Sequence, residues 1–326
     1  MKPKIDDVAR LAGVSPTTVS RVLNDRGYIS NETKEKVQDA MAKLNYFPND
    51  IARSLYTKRS NLLGIIMPTT SNPFFGELTF HLESICASLG YKVLLCNSLN
   101  QKDKEKKYLD MLMRNQVDGI IVGTHNLGIL NYQKQNLAVV SIDRYLSETI
   151  PVVSSDNYEG GKLATELLVR KSCEHIVLID GVKEIEKSYL RREAYIDTLD
   201  KIGKTPIIYE IPEVFNVQSQ QEIIENIFSE HPEVDGVFAT NDIFAASFIT
   251  AAKRYGKKIP EDIKVIGYDG TETVRTVLPD LTTIRQPIEM IAKEAINILL
   301  KEIEGEFTDP LHETKLPISL IEGSTT

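Results

Sequence analysis

The sequence predicts a two-part protein: a small all-α head in residues 1–46, followed by an α/β body of two doubly wound parallel sheets. Two patterns predict this class. Residues 1–46 contain three short amphipathic stretches, each behind a helix start signal. From residue 62 onward, β-rich apolar runs alternate with helix-compatible segments. The length of 326 residues suits several domains, and 42% hydrophobic with 26% charged residues is a globular composition.

The charge of the chain divides along the same line. Residues 1–60 hold 11 Lys and Arg against 7 acidic residues, a net charge of +4. The whole chain carries −8, so the remainder carries −12. A basic segment joined to an acidic body is the asymmetry expected when one end of a protein binds a polyanion.

The head is predicted to contain a helix-turn-helix. The first helix spans residues 5–11 and ends at Gly13. The second begins behind Ser15, a good N-cap, with Pro16 at the first helical position. Two short helices joined by a tight glycine turn are typical of the motif whose second helix lies in the DNA major groove. A third helix, beginning near Ser30, closes the core.

The second helix has a polar face. If Val19, Val22 and Leu23 are buried, its polar side chains are left for bases and phosphates. Arg pairs with guanine, Asn with adenine, and Ser and Thr donate to either bases or phosphates. Pattern alone leaves two interpretations open, because such helical pairs are structural at least as often as they bind DNA. The candidate residues are Thr17, Thr18, Ser20, Arg21 and Asn24.

The body contains ten β-rich runs, at 62–68, 91–96, 117–123, 137–143, 151–156, 175–180, 206–211, 235–240, 263–269 and 281–286. Most are separated by ten or more helix-compatible residues, as at 74–89 and 243–255. Repeated β-helix-β spacing predicts parallel sheets with right-handed crossovers. This number of strands suits two subdomains that face each other across a cleft.

Polar side chains recur just after the predicted strand ends, where doubly wound sheets bind their ligands. Carboxylate, amide and guanidinium groups supply acceptors and donors together, as a polyhydroxyl ligand requires. A single such residue is more often a turn or cap, but the recurrence favours a binding cleft. The candidates are Asn72, Asp143, Arg144, Arg191, Asn241, Asp242, Asp269 and Gln286.

No catalytic constellation is visible in the sequence. Gly160 and Gly161 lack a Walker A partner, and no G-x-G-x-x-G, H-E-x-x-H or G-x-S-x-G motif is present. The five histidines lack metal-ligand spacing, and the three cysteines form no C-x-x-C. No apolar run reaches the ~18 residues of a membrane span, and residues 1–10 are polar. We therefore predict a cytoplasmic non-enzyme with no cofactor, metal or membrane partner.

The string IDDVARLAGVSPTTVSRVLN resembles the headpiece of the LacI/GalR family of bacterial transcription regulators, and NYFPNDIARSLYTKRS resembles the hinge of that family. The resemblance implies a DNA-binding headpiece at 1–46, a hinge helix at 47–60 and a core at 61–326, with chain crossings near 157, 281 and 310. By position, it implies operator contacts from Pro16, Thr17, Thr18, Ser20, Arg21 and Asn24. It also implies hinge contacts from Ala52, Arg53, Ser54 and Leu55, the leucine being wedged into the minor groove.

The resemblance continues through SNPFF, SIDR, FATND, VIGYD and LTTIRQ, and implies a core of the type I periplasmic-binding-protein kind. It implies an effector cleft lined by Asn72, Pro73, Phe74, Asp143, Arg191, Asn241, Asp269 and Gln286. The implied function is a homodimeric repressor of a sugar-utilisation operon. It binds a pseudo-palindromic operator and responds to a small carbohydrate, sucrose or a related oligosaccharide being favoured. Two alternatives stay open: a carbon-catabolite regulator whose corepressor is a phosphorylated carrier protein, and an enzyme on a doubly wound fold.

Overall fold

The computed structural model describes residues 3–47, 59–123, 137–181, 188–214, 216–306 and 313–326. The chain forms two compact units, Met1–Ser60 and Asn61–Thr326. The first is called the head here and the second the body. No helix in the described ranges is long and apolar enough to cross a membrane.

The head contains the three predicted helices, α1 (Ile5–Ala12), α2 (Pro16–Leu23) and α3 (Asn31–Leu44). Each helix contributes apolar side chains to one small core, because these residues recur at helical spacing on a single face. The buried members of this core are Val8, Ala9, Val19, Val37 and Ala40.

Local signals fix where these helices begin and end. Gly13 ends α1 in the left-handed region at φ +69°, a conformation that glycine adopts without steric cost. The Ser15 hydroxyl accepts the Thr18 backbone N–H at 3.1 Å, and Ser30 accepts that of Thr33 at 3.3 Å. The helix starts predicted at Ser15 and Ser30 are confirmed.

The body is an α/β unit whose described strands are β1 (Leu62–Met67), β2 (Lys92–Asn97), β3 (Gly119–Val122), β4 (Ala138–Ile142), β5 (Val152–Ser155), β6 (Ile176–Gly181), β7 (Ile207–Ile211), β8 (Gly236–Ala239), β9 (Lys264–Asp269), β10 (Thr282–Arg285), β11 (Glu313–Leu316) and β12 (Ser319–Ile321). Its described helices are α4 (Pro73–Ser88), α5 (Lys102–Arg114), α6 (Asn157–Arg170), α7 (Ser188–Asp200), α8 (Val217–Glu230), α9 (Asp242–Arg254), α10 (Glu272–Val277) and α11 (Ile288–Glu304).

The strands form two six-stranded sheets. The first has the order β11-β5-β4-β3-β1-β2 and the second the order β12-β10-β9-β8-β6-β7. Neighbouring strands are parallel except β10 and β12, which pair antiparallel, so the second sheet departs from the all-parallel prediction at its edge. The ten predicted strands are confirmed, whereas β11 and β12 were not predicted.

Helices cover both faces of each sheet, because successive residues of a strand point to opposite sides. In β1, Ile65 packs with α4 and α11, whereas Ile66 packs with α5 on the other face. In β6, Ile179 packs with α8 and α9, whereas Leu178 packs with α6 and α7. The body therefore consists of two three-layer subdomains.

The chain passes between the two subdomains at three places in the described ranges. The resemblance implies crossings near 157, 281 and 310. In the structure the first crossing lies at the start of α6, next to residue 157. The second lies between Arg285 and Ile288, after β10 of the second sheet, and the third lies between Leu316 and Ser319, after β11 of the first sheet.

Candidate functional site

The polar face of α2 forms the candidate DNA interface of the head. Val19 is fully buried, and Pro16, Thr17 and Arg21 are exposed. Proline at the first helical position and the Ser15 cap begin the helix at this end. These three side chains are therefore available to a groove or a phosphate.

The other three candidates of α2 are half-buried and already make hydrogen bonds within the helix. The Thr18 hydroxyl lies 2.8 Å from that of Ser15. Asn24 is the C-cap, and its Nδ2 donates to the Ser20 carbonyl oxygen at 2.8 Å. This bond uses one of the two Nδ2 hydrogens, and the other hydrogen and Oδ1 are the groups with which Asn24 would contact a base.

The hinge candidates Ala52, Arg53, Ser54 and Leu55 lie outside the described residues, and their roles stay predictions. One further head residue was not predicted. Tyr28, between α2 and α3, is 99% exposed. A phenol on a basic surface can donate to a phosphate oxygen, which makes Tyr28 an additional candidate contact.

A cavity of about 240 Å³ lies in the body at the carboxyl ends of both sheets. Residues from the ends of most strands line it, as expected for ligand sites of doubly wound sheets. Its wall includes all eight predicted effector residues: Asn72, Pro73, Phe74, Asp143, Arg191, Asn241, Asp269 and Gln286. Arg144 also lines it. The structure thus brings the predicted residues together, and their binding roles stay a prediction.

Arg191 lies at the centre of the polar wall and is 8% exposed. Its Nε donates to Asn157 Oδ1 at 2.8 Å, and its Nη1 donates to the Thr240 carbonyl oxygen at 2.6 Å. Nη1 also lies 4.0 Å from Asp269 Oδ1. The guanidinium is therefore fixed from two directions before any ligand arrives.

Asn157 connects the two subdomains and was not predicted. Its Oδ1 accepts from Arg191, while its Nδ2 donates to Asp143 Oδ1 and to the Ser155 carbonyl oxygen, each at 3.2 Å. Asp143 follows β4 of the first sheet, whereas Arg191 belongs to α7 beside the second sheet. The rule that selected polar residues after strand ends would also have selected Asn157, which follows β5.

A second chain of hydrogen bonds crosses between the subdomains at Gln286. The Ser155 hydroxyl donates to Gln286 Oε1 at 2.7 Å, and Gln286 Nε2 donates to Asp269 Oδ1 at 2.8 Å. Burial raises the pKa of Asp269 above its usual value, while Arg191 and Gln286 oppose the rise. The charge of the Asp269 carboxyl therefore depends on the balance between burial and its contacts with Arg191 and Gln286.

Asp242 does not line the cavity, although the sequence proposed it with the strand-end residues. Its carboxylate accepts the Gly270 backbone N–H at 2.8 Å and the Thr283 hydroxyl at 2.6 Å. Burial and the nearby Asp269 both raise the pKa of Asp242. Asp242 therefore holds the strand ends together and is a structural residue.

Two helix N-caps contribute donors to the cavity. Asn72 Oδ1 accepts the Phe74 backbone N–H at 2.9 Å, and Asn241 Oδ1 accepts that of Phe244 at 2.9 Å. Capping uses the amide oxygens and leaves the two NH₂ groups as donors. Carboxylate acceptors and amide and guanidinium donors therefore share one small space.

The wall also has an apolar part. Phe74 and Phe75 meet edge to face, with ring centroids 5.2 Å apart. Other apolar residues at this wall are Val214, Val217, Ile243 and Phe244. A mostly apolar wall with a few fixed polar groups is typical of small-molecule sites. No group of His, Cys, Asp or Glu within the described ranges is arranged to hold a metal ion.

Comparisons with known proteins connect both units to one family. Residues 4–49 match "Bacterial regulatory proteins, lacI family", and residues 165–326 match "Periplasmic binding protein-like domain". The chain is 44% identical to a sucrose operon repressor of Pediococcus pentosaceus and 42% identical to one of Streptococcus mutans, with 100% of both chains covered in each case. It is 38% identical to a ribose operon repressor of Halalkalibacterium halodurans, over 99% of this chain and 96% of the relative.

Solved structures lead to the same family. The Lac repressor dimer bound to operator and an anti-inducer superposes with a TM-score of 0.88 at 26% identity, covering 100% of this chain and 99% of that one. A LacI family regulator from Enterococcus faecium with bound ribose has a TM-score of 0.73 at 27% identity, over 81% and 98%. Identity above 40% along the whole length, with a matching head and a matching body, shows that this chain belongs to the lacI family of bacterial regulatory proteins.

Proposed function

We propose that this chain is a sequence-specific DNA-binding transcriptional repressor whose operator affinity is changed by a sugar bound in the body cavity. The observation that carries the sugar assignment is the mixed polar wall of the cavity. Asp143 and Asp269 supply acceptors, and Arg191 supplies donors, within one space. Each hydroxyl of a sugar both donates and accepts, so such a wall matches a polyhydroxyl ligand.

The sugar is proposed to be sucrose or a related oligosaccharide. Three relatives, at 44%, 42% and 38% identity, are sucrose operon repressors, and two, at 38% and 39%, are ribose operon repressors. The Phe74 and Phe75 rings in the wall support a ligand with C–H faces as well as hydroxyls, because aromatic rings pack against apolar C–H groups.

The regulatory mechanism is a population shift. The first sheet contributes Asp143 to the cavity, and the second contributes Asp269 and Gln286. A ligand that hydrogen-bonds both sets favours one relative orientation of the two subdomains. Its differential affinity for the two orientations then sets how far operator affinity changes, and operator DNA changes sugar affinity by the same factor.

The partner on DNA is proposed to be a second copy of this chain. Strand β2 is an exposed edge of the first sheet, and α4 packs against both β2 and α10. These elements carry the exposed apolar side chains Leu95, Phe80 and Val277, which are 44%, 64% and 73% exposed. A dimer through this face presents two heads to two half-sites, which requires a near-palindromic operator.

One experiment tests the proposal directly. An operator is selected from random duplexes with the full-length chain, and sucrose, fructose, glucose and ribose are then titrated separately into the complex. We expect a near-palindrome, and a change in its affinity with sucrose. Strengthening of the complex only by a phosphorylated carrier protein, and by no sugar, would favour the carbon-catabolite alternative. An asymmetric footprint of one half-site would contradict the dimer.

A further inference from the structure

Two adjacent glycines in α6 are not explained by the function proposed above. Gly160 and Gly161 are both buried in the second turn of that helix. Glycine lowers helix stability relative to alanine, so a buried pair calls for a packing reason. Their surroundings supply one, because each glycine is in close approach to a different residue next to the cavity.

Gly160 lies against the ring of Tyr268. A Cβ at position 160 would lie 2.8 Å from Cε2 and 2.9 Å from Cζ of that ring, which is closer than real Cβ atoms approach. Gly161 lies against the backbone of Arg191, where a Cβ would lie 2.7 Å from the Arg191 Cα. Because neither glycine has a side chain, the backbone of α6 can pack directly against the Tyr268 ring and the Arg191 backbone.

Tyr268 and Arg191 are in turn stacked on one another. The Arg191 Cζ lies 3.6 Å from the centroid of the Tyr268 ring, and Tyr268 is fully buried. Guanidinium groups stack on aromatic faces through cation–π attraction, which strengthens when both groups are desolvated. Tyr268 does not line the cavity. Its contact with the cavity through this stacking is therefore indirect, by way of Arg191.

We propose that Tyr268, Gly160 and Gly161 form a seat that fixes the Arg191 guanidinium in the cavity, which makes Tyr268 a positioning residue. This inference rests on the proposed sugar-binding function. The Tyr268 ring packs against one face of the guanidinium. Asn157 Oδ1 and the Thr240 carbonyl oxygen accept hydrogen bonds from Nε and Nη1. Within the described residues no hydrogen bond uses Nη2, which leaves its N–H groups as the donors for a ligand.

Two substitutions of Tyr268 separate the ring from the hydroxyl. The hydroxyl is buried and makes no hydrogen bond within the described residues. Tyr268→Phe keeps the ring, so we expect the affinity for sucrose in calorimetry to stay within about twofold of the wild type. Tyr268→Leu removes the ring, and we expect sucrose affinity to fall roughly 10- to 100-fold, because hydrogen bonds to a charged donor need fixed geometry.

A double-mutant cycle distinguishes positioning from a general structural role. In the Arg191→Ala background, Tyr268→Leu should change sucrose affinity by less than about twofold, because the residue through which it acts is gone. Equal losses in both backgrounds would overturn the proposal. Gly160→Ala is a second variant, which displaces the ring without removing any polar atom. It should reproduce the Tyr268→Leu loss, and wild-type affinity in Gly160→Ala would also contradict the seat.

A measurement without ligand separates this proposal from the sugar assignment. The Arg191 Nε–H should show an NMR shift displaced by the Tyr268 ring and slow hydrogen exchange, and both should be lost in Tyr268→Leu and kept in Tyr268→Phe. If the wild type binds no sugar, the sugar assignment fails while this spectrum still tests the seat. An Nε–H resonance unchanged in Tyr268→Leu would overturn the seat whatever the sugar results.

Discussion

The head and the body present their candidate functional residues in opposite ways. In the head, Pro16, Thr17 and Arg21 are exposed on one short helix. In the body, Asp269 is 7% exposed and Gln286 is 1% exposed, and both belong to a hydrogen-bond network. Function in the head can therefore be changed with little effect on folding, whereas in the body function and stability share the same side chains.

The two kinds of ligand explain the difference. A polyanion is attracted by exposed cations that release counterions, and this requires no burial. A neutral sugar competes with water for every hydrogen bond, so its site must offer groups that are already desolvated and held in place. Arg191, fixed by Asn157 and Thr240, meets that requirement.

The largest expected effect is the loss of operator affinity of the head as the salt concentration rises. A repressor dimer making six to ten phosphate contacts should lose about 10³-fold or more of its operator affinity between roughly 50 and 200 mM salt. Fluorescence anisotropy on the selected operator measures this slope. Because the head carries +4 and the body −12, we expect the cations responsible to lie in the head.

Matched substitutions locate the effect. Arg21→Gln, in α2, should lower the magnitude of the slope of log affinity against log salt by about one per head. Lys253→Gln, in the last turn of α9, makes the same change in the body and should leave the slope unaltered. A slope that responds equally to both substitutions would remove the contrast between head and body.

The next largest effect concerns the cavity. Asp269→Ala removes the acceptor of Gln286 and a proposed ligand contact. We expect a loss of about 10- to 150-fold in sucrose affinity, since a hydrogen bond to a charged group contributes roughly 1.5–3 kcal/mol. Unfolding free energy should also fall, by about 1–3 kcal/mol, because Gln286 loses a buried partner. Operator affinity without sugar should be kept.

Asp235→Ala is the control for that experiment. The Asp235 carboxylate accepts the Glu174 and His175 backbone N–H groups at 2.7 and 2.8 Å, at the amino ends of the strands and away from the cavity. This substitution should lower stability without lowering sucrose affinity. Equal sucrose affinity in Asp269→Ala and Asp235→Ala would remove Asp269 from the proposed site.

The strands of the body and the residues at their ends could largely be predicted from the sequence. The ten predicted strands are apolar runs, and parallel topology brings their carboxyl ends to one edge, so a list of eight polar residues near strand ends contained seven that line the cavity, all but Asp242. Strand β11 was missed because its side chains alternate between exposed and half-buried and include Glu313 and Lys315, and β12 was missed because it has only three residues.

The supports of the site could not be predicted in this way. Tyr268 lies within the apolar strand β9 and reads as a core residue, and its contact with Gly160 joins segments that are far apart in sequence. Thr240 contributes a backbone oxygen, for which side-chain identity carries no signal. Only the packed structure shows that these three residues act around Arg191.

A smaller effect is expected at the hinge, where the prediction rests on sequence alone. Leu55→Ala should weaken operator binding roughly 10-fold, because a leucine in the minor groove buries apolar surface worth about 1.5–3 kcal/mol, part of which alanine retains. Melting temperature and sucrose affinity should stay at wild-type values. Leu89→Ala, at a 52% exposed leucine of the body, should alter none of the three. A lower melting temperature in Leu55→Ala would identify Leu55 as a core residue.

The smallest expected effect is a pH dependence of stability that belongs to the body. Glu302 in α11 accepts the Val139 backbone N–H at 2.9 Å through Oε2. Burial raises the pKa of Glu302 to about 7, and this hydrogen bond opposes the rise. At pH values between the usual pKa of a glutamate and 7, Glu302 is protonated in the folded protein and ionised in the unfolded chain. The stabilisation from this group is therefore complete at low pH and is lost as pH rises through 7.

Glu302→Gln keeps an acceptor oxygen and cannot titrate, so it isolates the effect. From about pH 5.5 to 8, wild-type unfolding free energy should fall relative to the variant by about 1 kcal/mol, a value reduced for the partial exposure of the group. Glu32→Gln is the control in the head, where the exposed Glu32 pairs with Lys36 and has a lowered pKa. This second variant should follow the wild-type pH profile over the same range, because the Glu32 carboxylate is ionised throughout. Denaturant titrations at the two pH values measure both differences. If Glu302→Gln kept the wild-type pH profile, the Glu302 carboxyl would be ionised throughout that range, and burial would not have raised its pKa.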